Sequence, residues 1–289
     1  MITAQLLLTG VAVGSIYGLV ALGFVMIYKS AEVVNFAQGE LMMLGALVAT
    51  TLAGYAHIGY WAALAGAVAI MMVVGGLIDA VIIRRVAGYP QFSIVMLTLG
   101  LAFVMRSVAS IVWGPETRTV TTPFDTGSFG FGTVSLSSTY WSLIVGTAAL
   151  CLLMYLAFKY TRIGRAMQAA SENQVAAYYM GIPVKRYLSL VWAASAGVST
   201  VAGVLLAPVV LVNVNMGAIG LKAFAAAVVG GFSSIPGALV GGIVVGIAEV
   251  CASATMNDAW RNASPYLVLL AVLLIRPQGI FGLTVKKKV

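Results

Sequence analysis

Apolar runs long enough to cross a bilayer recur from one end of this chain to the other, and that recurrence limits the fold more than any other feature. A helix needs about 20 predominantly apolar residues to span the hydrocarbon core. Such runs lie near residues 5–28, 35–56, 60–83, 92–113, 140–158 and 187–212. A short glycine-interrupted run at 216–232, a glycine-rich one at 236–254 and a last one at 260–275 follow. A transmembrane barrel would instead alternate at every second residue. With 61% hydrophobic and 8% charged side chains among 289 residues, there is too little polar surface to cover a soluble globule. The expected fold is all-α: a polytopic transmembrane helical bundle of eight or nine spans, in which residues 1–289 form one domain in the lipid bilayer. The count turns on whether the segment from Asn35 or from Met216 crosses fully or re-enters. The start, MITAQLLLTG, has no basic n-region and reads as a retained helix, not a cleaved leader. Cys151 and Cys251 sit in apolar runs and read as small packing residues.

A net charge of +8 would suggest nucleic acid in a soluble protein, but here the positions of the charges decide. Lys29, Arg84, Arg85, Lys159, Arg162, Arg165, Lys185, Arg186, Arg276 and Lys286 to Lys288 all fall at or between the ends of apolar runs, on what can be one face. The positive-inside rule makes that face cytoplasmic and puts Glu116, Asp125 and Asp258 opposite. The basic excess is then a topological address with no nucleic-acid role. An odd number of crossings places the amino terminus outside and the carboxyl terminus in the cytoplasm.

The stretch VVNFAQGELMMLGALVA, residues 33–49, sets Asn35, Phe36, Gln38, Gly39 and Glu40 at the head of an otherwise apolar segment. An unpaired carboxylate in hydrocarbon costs roughly 2.5–3.5 kcal/mol on insertion scales, so polar groups there imply a water-filled path or a functional joint. Glu40 can bind a substrate amine, accept helix-terminal amides at the joint, or sit at the inner interface near Lys29; the structural readings stand ahead of substrate contact. Asn35 and Gln38 read as satisfying backbone at the same joint, and Phe36 as packing ahead of a gate. A second glycine-broken junction, VVGGFSSIPGALVGG, lies in the other half, as an inverted repeat beside a transport path would place it, or by chance. Arg106, Lys222 and Glu249 lie deep in apolar runs, where charges face the bundle interior and pair; Lys222 with Glu249 is one such pairing. Asp79, about one turn before Arg84, is expected to be solvated or paired there. His57, the only histidine, has no second ligand beside it for a metal.

Two polar connections remain. Residues 113–139, rich in threonine, serine and glycine, are assigned outside and read as a lid, a short hairpin or a plain connector. Residues 159–186 form the main inner loop. There Ser171 and Gln174 have capping-box spacing, Glu172 complements a helix dipole, and Gly181 followed by Pro183 stops the helix, which predicts a compact helix over 172–180. That helix is either a knob for another protein's groove or a joint between two spans.

NFAQGELMMLGA followed by GRAMQAASENQVAAYYMGI resembles the LivH-type permeases of bacterial branched-chain amino acid ABC importers, over essentially the full length. The resemblance implies an inner-membrane subunit paired with a LivM-type permease, two cytoplasmic ATPases and a periplasmic amino-acid-binding protein. It places the ATPase-coupling region on 164–182, with Gly164, Arg165, Ala166, Ser171, Glu172, Gln174, Gly181 and Ile182. The general importer pattern opens on a glutamate and two alanines, where this chain reads Gly164-Arg165-Ala166. Leucine, isoleucine and valine are the implied substrates. A permease for urea or short amides, a stand-alone carrier and a membrane enzyme are the alternatives. No GxxxxGK[ST], HExxH or GxSxG sequence occurs, so the chain is read as a transport subunit that is no enzyme and binds no cofactor, with ATP used by its partners.

Overall fold

The computed structural model describes residues 4–55, 58–86, 88–120, 122–123, 127–131, 134–172 and 174–282. His57, Asp125 and Lys286 to Lys288 lie outside the described residues, as do the side chains of Ser171, Glu172, Gln174 and Asp258. Helices account for nearly all the regular structure. In chain order they are α1 (Ala4–Ala31), α2 (Gln38–Tyr55), α3 (Tyr60–Val86), α4 (Gln91–Trp113) and α5 (Ser138–Tyr160). The series continues with α6 (Arg162–Glu172), α7 (Gln174–Tyr179), α8 (Val184–Leu206), α9 (Met216–Gly230), α10 (Ile235–Thr255) and α11 (Asp258–Ile275). One antiparallel hairpin, β1 (Ser128–Phe131) with β2 (Val134–Ser137), sits in the connection between α4 and α5. Of the three readings of that connection, the structure bears out the hairpin.

Six helices, α1, α3, α4, α5, α8 and α10, are long and apolar enough to cross a membrane. Met216–Gly230 and the apolar part of α11 are shorter, and α2 starts with three residues of which two are polar. Hydropathy does not say what covers each span. In α1, 89% of the most apolar window is buried by the rest of the chain, against 22% in α4 and α5. The first helix is therefore the centre of the bundle, while α4 and α5 form its wall.

Small residues explain how α1 is enclosed. No hydrophobic effect acts between helices in lipid, so close backbone approach has to supply the packing. A Cβ on Gly14 would come within 2.6 Å of Gly242 O and Ile243 Cα of α10, and one on Gly10 within 2.8 Å of Ile247 Cα. The order of these contacts makes α1 and α10 antiparallel. On the other side, a Cβ on Gly45 of α2 would lie 2.7 Å from Thr200 Cα of α8, and one on Gly75 of α3 2.6 Å from Trp192 O of α8.

α3 is not regular to its end. Residues Ile78–Ile83 wind as a π-helix before Arg84–Val86 return to α-helix. The wide turn brings Asp79 to Arg84 at 3.3 Å, and Ser189 of α8 donates to Asp79 Oδ2 at 2.6 Å. Asp79 is thus paired, as its position before Arg84 implies.

Between α5 and α8 the inner connection departs from expectation. The chain is already helical from Arg162, so Ser171 lies inside α6 and does not open a helix. The cap lies earlier: Thr161 Oγ1 accepts the Gly164 N–H at 3.0 Å. Gly164 fits there because a Cβ would lie 2.5 Å from Phe158 Cα. The other end is as predicted. Gly181 adopts φ +81°, its N–H reaches Tyr178 O, and the Ile182 N–H reaches Ala177 O, each at 3.0 Å. That is a Schellman stop, which needs the left-handed backbone glycine accepts.

Candidate functional site

The polar head of α2 is preceded by a non-helical stretch, residues 33–35, and a turn at 36–37. Asn35 holds this turn locally, its Oδ1 accepting the Ala37 N–H at 3.1 Å. Its Nδ2 donates to Gln38 Oε1 at 3.1 Å. Gln38 then reaches across the bundle: its Nε2 donates to Ser195 Oγ at 2.9 Å and also to Ser199 Oγ, both on α8. Ser195 Oγ lies 3.1 Å from Gly23 O on α1, within hydrogen-bonding distance. Asn35, Gln38, Ser195 and Ser199 are all fully buried. They form a joint in which each polar group has a partner, as the structural reading of Asn35 and Gln38 requires.

Glu40 is buried, and the structure corrects its expected place near Lys29. Lys29 lines a different cavity, with Lys159, Gln168 and Phe281. Glu40 instead pairs with Arg106 of α4: Arg106 Nε donates to Oε1 at 3.1 Å, and Nη2 donates to the same oxygen. Oε2 is buried without a hydrogen-bond partner, so Glu40 does not cap a helix. It lies against Gly217, and a Cβ on Gly217 would come within 2.5 Å of Oε1. Gly39 packs beside it, where its own Cβ would lie 2.9 Å from Gly220 Cα.

Two interrupted segments therefore meet at one point. The head of α2 follows the irregular residues 32–37, and α9 starts with a 3₁₀ turn, Met216–Ala218, after the irregular stretch at 207–215. Their contact is Gly39 with Gly217 and Gly220. The glycine-broken junction before α10 instead serves packing: Ser234 caps it by accepting the Gly237 N–H at 3.1 Å.

A cavity of about 190 Å³ opens beside this contact, lined by Phe24, Phe36, Glu40, Leu99, Phe103 and Arg106 among others. Phe224 packs against both Phe36 (tilted, 5.2 Å between ring centroids) and Phe24 (edge-on, 5.8 Å), which backs the aromatic part of the lining. A separate, larger cavity of about 570 Å³ is lined by Val33, Asp79, Arg84, Ile94, Tyr178 and Trp192 among others. The Phe36 N–H is held by Thr98 Oγ1 at 3.3 Å, and the Phe36 ring lines the smaller cavity against Phe224.

The second deep charge cluster pairs as the sequence suggests. Glu249 Oε1 accepts from Lys222 at 2.8 Å and Arg261 at 3.3 Å, and Tyr17 donates to Oε2 at 2.6 Å. It ties α1, α9, α10 and α11 together with every carboxylate oxygen engaged. No group of three or more His, Cys, Asp or Glu able to hold a metal occurs among the described residues.

At the loop, Ala177 of α7 is buried with Ala170 of α6 and Val184 of α8, which fixes both short helices to the bundle. Tyr178, Tyr179 and Met180 are left 69%, 82% and 82% exposed. Of the expected coupling residues, Gly164, Arg165 and Ala166 sit in the first turns of α6, and Gly181 and Ile182 form the stop of α7.

Sequence comparison adds a family. A model described as "branched-chain amino acid transport system / permease component" matches residues 6–275. The high-affinity branched-chain amino acid transport system permease protein LivH of Escherichia coli K12 is 31% identical over 295 residues, covering 96% of this chain and 95% of that protein. The permease protein BraD of Pseudomonas aeruginosa, of the same description, is 29% identical over 96% of this chain and 95% of its own length. A probable LivH of Methanocaldococcus jannaschii is 30% identical over 93% of this chain and 89% of its own.

Proposed function

Because this chain belongs to the family of branched-chain amino acid transport system permease components, we propose that it is the membrane permease subunit of an ABC importer for leucine, isoleucine and valine in the bacterial inner membrane. The observation that carries the reading is the meeting of two broken segments at Gly39, Gly217 and Gly220, beside a buried ion pair and an aromatic cavity. Non-helical backbone at membrane depth is tolerated only where protein or a water-filled cavity covers it, and such breaks mark binding sites in transporters. The two cavities along α4 then form the path, with Asn35 and Gln38 holding its joint and Phe36 lining it.

Arg106 supports a shared path. It lies well inside α4, yet its side chain is 37% exposed, beside Phe103 at 67%. A guanidinium facing hydrocarbon there is costly. A second permease of the LivM type covers this face in our reading and supplies the opposite wall. The chain makes nine passes, in which α2 and α9 complete their crossings with the irregular residues 32–37 and 207–215; the two carry the inverted relation that broken helices have in transporters. The amino terminus is periplasmic and the carboxyl terminus cytoplasmic, by the positive-inside rule.

Drive comes from outside the chain. Two ATPase subunits seat on 164–182, where Tyr178, Tyr179 and Met180 form an exposed apolar knob on a rigid base, and a periplasmic binding protein delivers the amino acid. Movement of the knob passes to α8 through Ala177 and Val184 and so to Ser195, Ser199 and the Gln38 joint. The carboxylate and aromatic rings of the path bind and orient the solute; no bond is made or broken on this chain. Reconstitution tests the reading. Liposomes holding the full assembly accumulate leucine only with ATP and binding protein; accumulation by this chain alone would refute the subunit role.

A further inference from the structure

Among the three buried carboxylates of the described residues, Glu40, Asp79 and Glu249, only Glu40 has an oxygen that is buried without a hydrogen-bond partner. Glu249 has both oxygens engaged, whereas Arg106 spends Nε and Nη2 on one oxygen of Glu40 and leaves Oε2 buried and unpartnered against Gly217, a residue that also lines the cavity. A pair serving only structure gains most from using both oxygens, since planar guanidinium and carboxylate match two to two. Arg106, meanwhile, is partly exposed and lines the same cavity. One negative oxygen inside and one partly exposed positive group leave a dipole with unused capacity at both ends.

Resting on the transport reading above, we propose that Glu40 and Arg106 part around the amino acid and hold it as a zwitterion. The ammonium takes Glu40 Oε2, the carboxylate takes Arg106, and the branched side chain lies on Phe24, Phe36 and Phe103. Charge selects this ligand class. A cation or an anion would leave a net charge in an aromatic-lined cavity, which is expensive without a partner, whereas a zwitterion beside an ion pair leaves none. The exchange also never strands a charge, because each end of the pair gains a new partner as it gives up the old one. Size agrees: an apolar cavity of about 150 Å³ takes benzene, and this one is about 190 Å³ with Arg106 in its lining.

The test is equilibrium binding of radiolabelled leucine to the assembled transporter in nanodiscs, without binding protein. Saturable binding is expected, competed by leucine and not by isovalerate, which lacks the ammonium, or leucinamide, which lacks the carboxylate. Glu40→Gln and Arg106→Gln should each weaken it by roughly tenfold or more, as losing a hydrogen bond to a charged group does. The double variant Glu40→Gln/Arg106→Gln removes both charges together and leaves neither orphaned; it should assemble with its partners and still not bind. Absence of saturable binding, wild-type affinity in these variants, or displacement by isovalerate, leucinamide, urea or acetamide as effective as by leucine would overturn the proposal. If the wild-type assembly still imports leucine with ATP, only the zwitterion site has failed; if it imports no branched-chain amino acid, the transport reading has failed with it.

Discussion

At the scale of single residues, the α2 head separates into groups that hold and groups with spare capacity. Gln38 holds, since it serves Asn35, Ser195 and Ser199 together. Gln38→Leu leaves those groups buried without it, at about 1–3 kcal/mol for each orphaned group; thermal unfolding of the detergent-solubilised protein should shift down, with Gln38→Glu milder. Glu249→Ala should cost more, about 3–5 kcal/mol, because it strands the largely buried Lys222; denaturant titration of the same preparation measures it. Asn35 and Gln38 were legible as a joint because their shared turn is local. Arg106 and Ser195 were not, since they stand 66 and 157 residues from the groups they serve. Arg106 did carry a signal, a lone cation inside an apolar run, but nothing in one sequence names its partner. Lys222 and Glu249 were readable as a pair because only 27 residues separate them.

Among elements, most span ends were legible to within a few residues because hydropathy and punctuation coincide; the exception is the span expected to reach residue 212, whose helix ends at Leu206 because the apolar run continues into the irregular stretch 207–215. The inner loop shows where punctuation misleads. Ser171 and Gln174 have the right spacing for a helix start, but Thr161 already caps a helix whose residues favour continuation, so the later signal falls inside helical structure. The stop at Gly181 was readable since left-handed backbone admits few residues other than glycine. Gly181→Val should strain that turn by about 1 kcal/mol or more and displace the knob; ATP hydrolysis by the assembly should persist while leucine moved per ATP falls. Unchanged coupling would detach the knob from the drive. The irregular starts of α2 and α9 left a weaker trace, because a broken span and a short one read alike.

Over the whole molecule, composition settled the membrane class at once but could not say which spans meet lipid. α1 and α4 are both apolar throughout, and only packing distinguishes the buried one from the wall. The shared-path reading makes this measurable. Nitroxide labels at Phe103→Cys and Val73→Cys, both on exposed positions, should differ in the assembled transporter: oxygen collision stays high at Val73 and drops at Phe103 when the second permease is present. Equal accessibility at the two would place lipid against Arg106 and remove the partner from that face.

The antiparallel seating of α1 on α10 also bears on how the chain is made. Tyr17 finds Glu249 only 232 residues later, which at about 5–20 residues per second is on the order of ten to fifty seconds of synthesis. Throughout that interval α1 stands in the lipid with its glycine flank bare, waiting for α10. A nascent chain halted before Ile235 should accordingly be short-lived, and quality-control proteases should reach it first through the segment that ends up most enclosed.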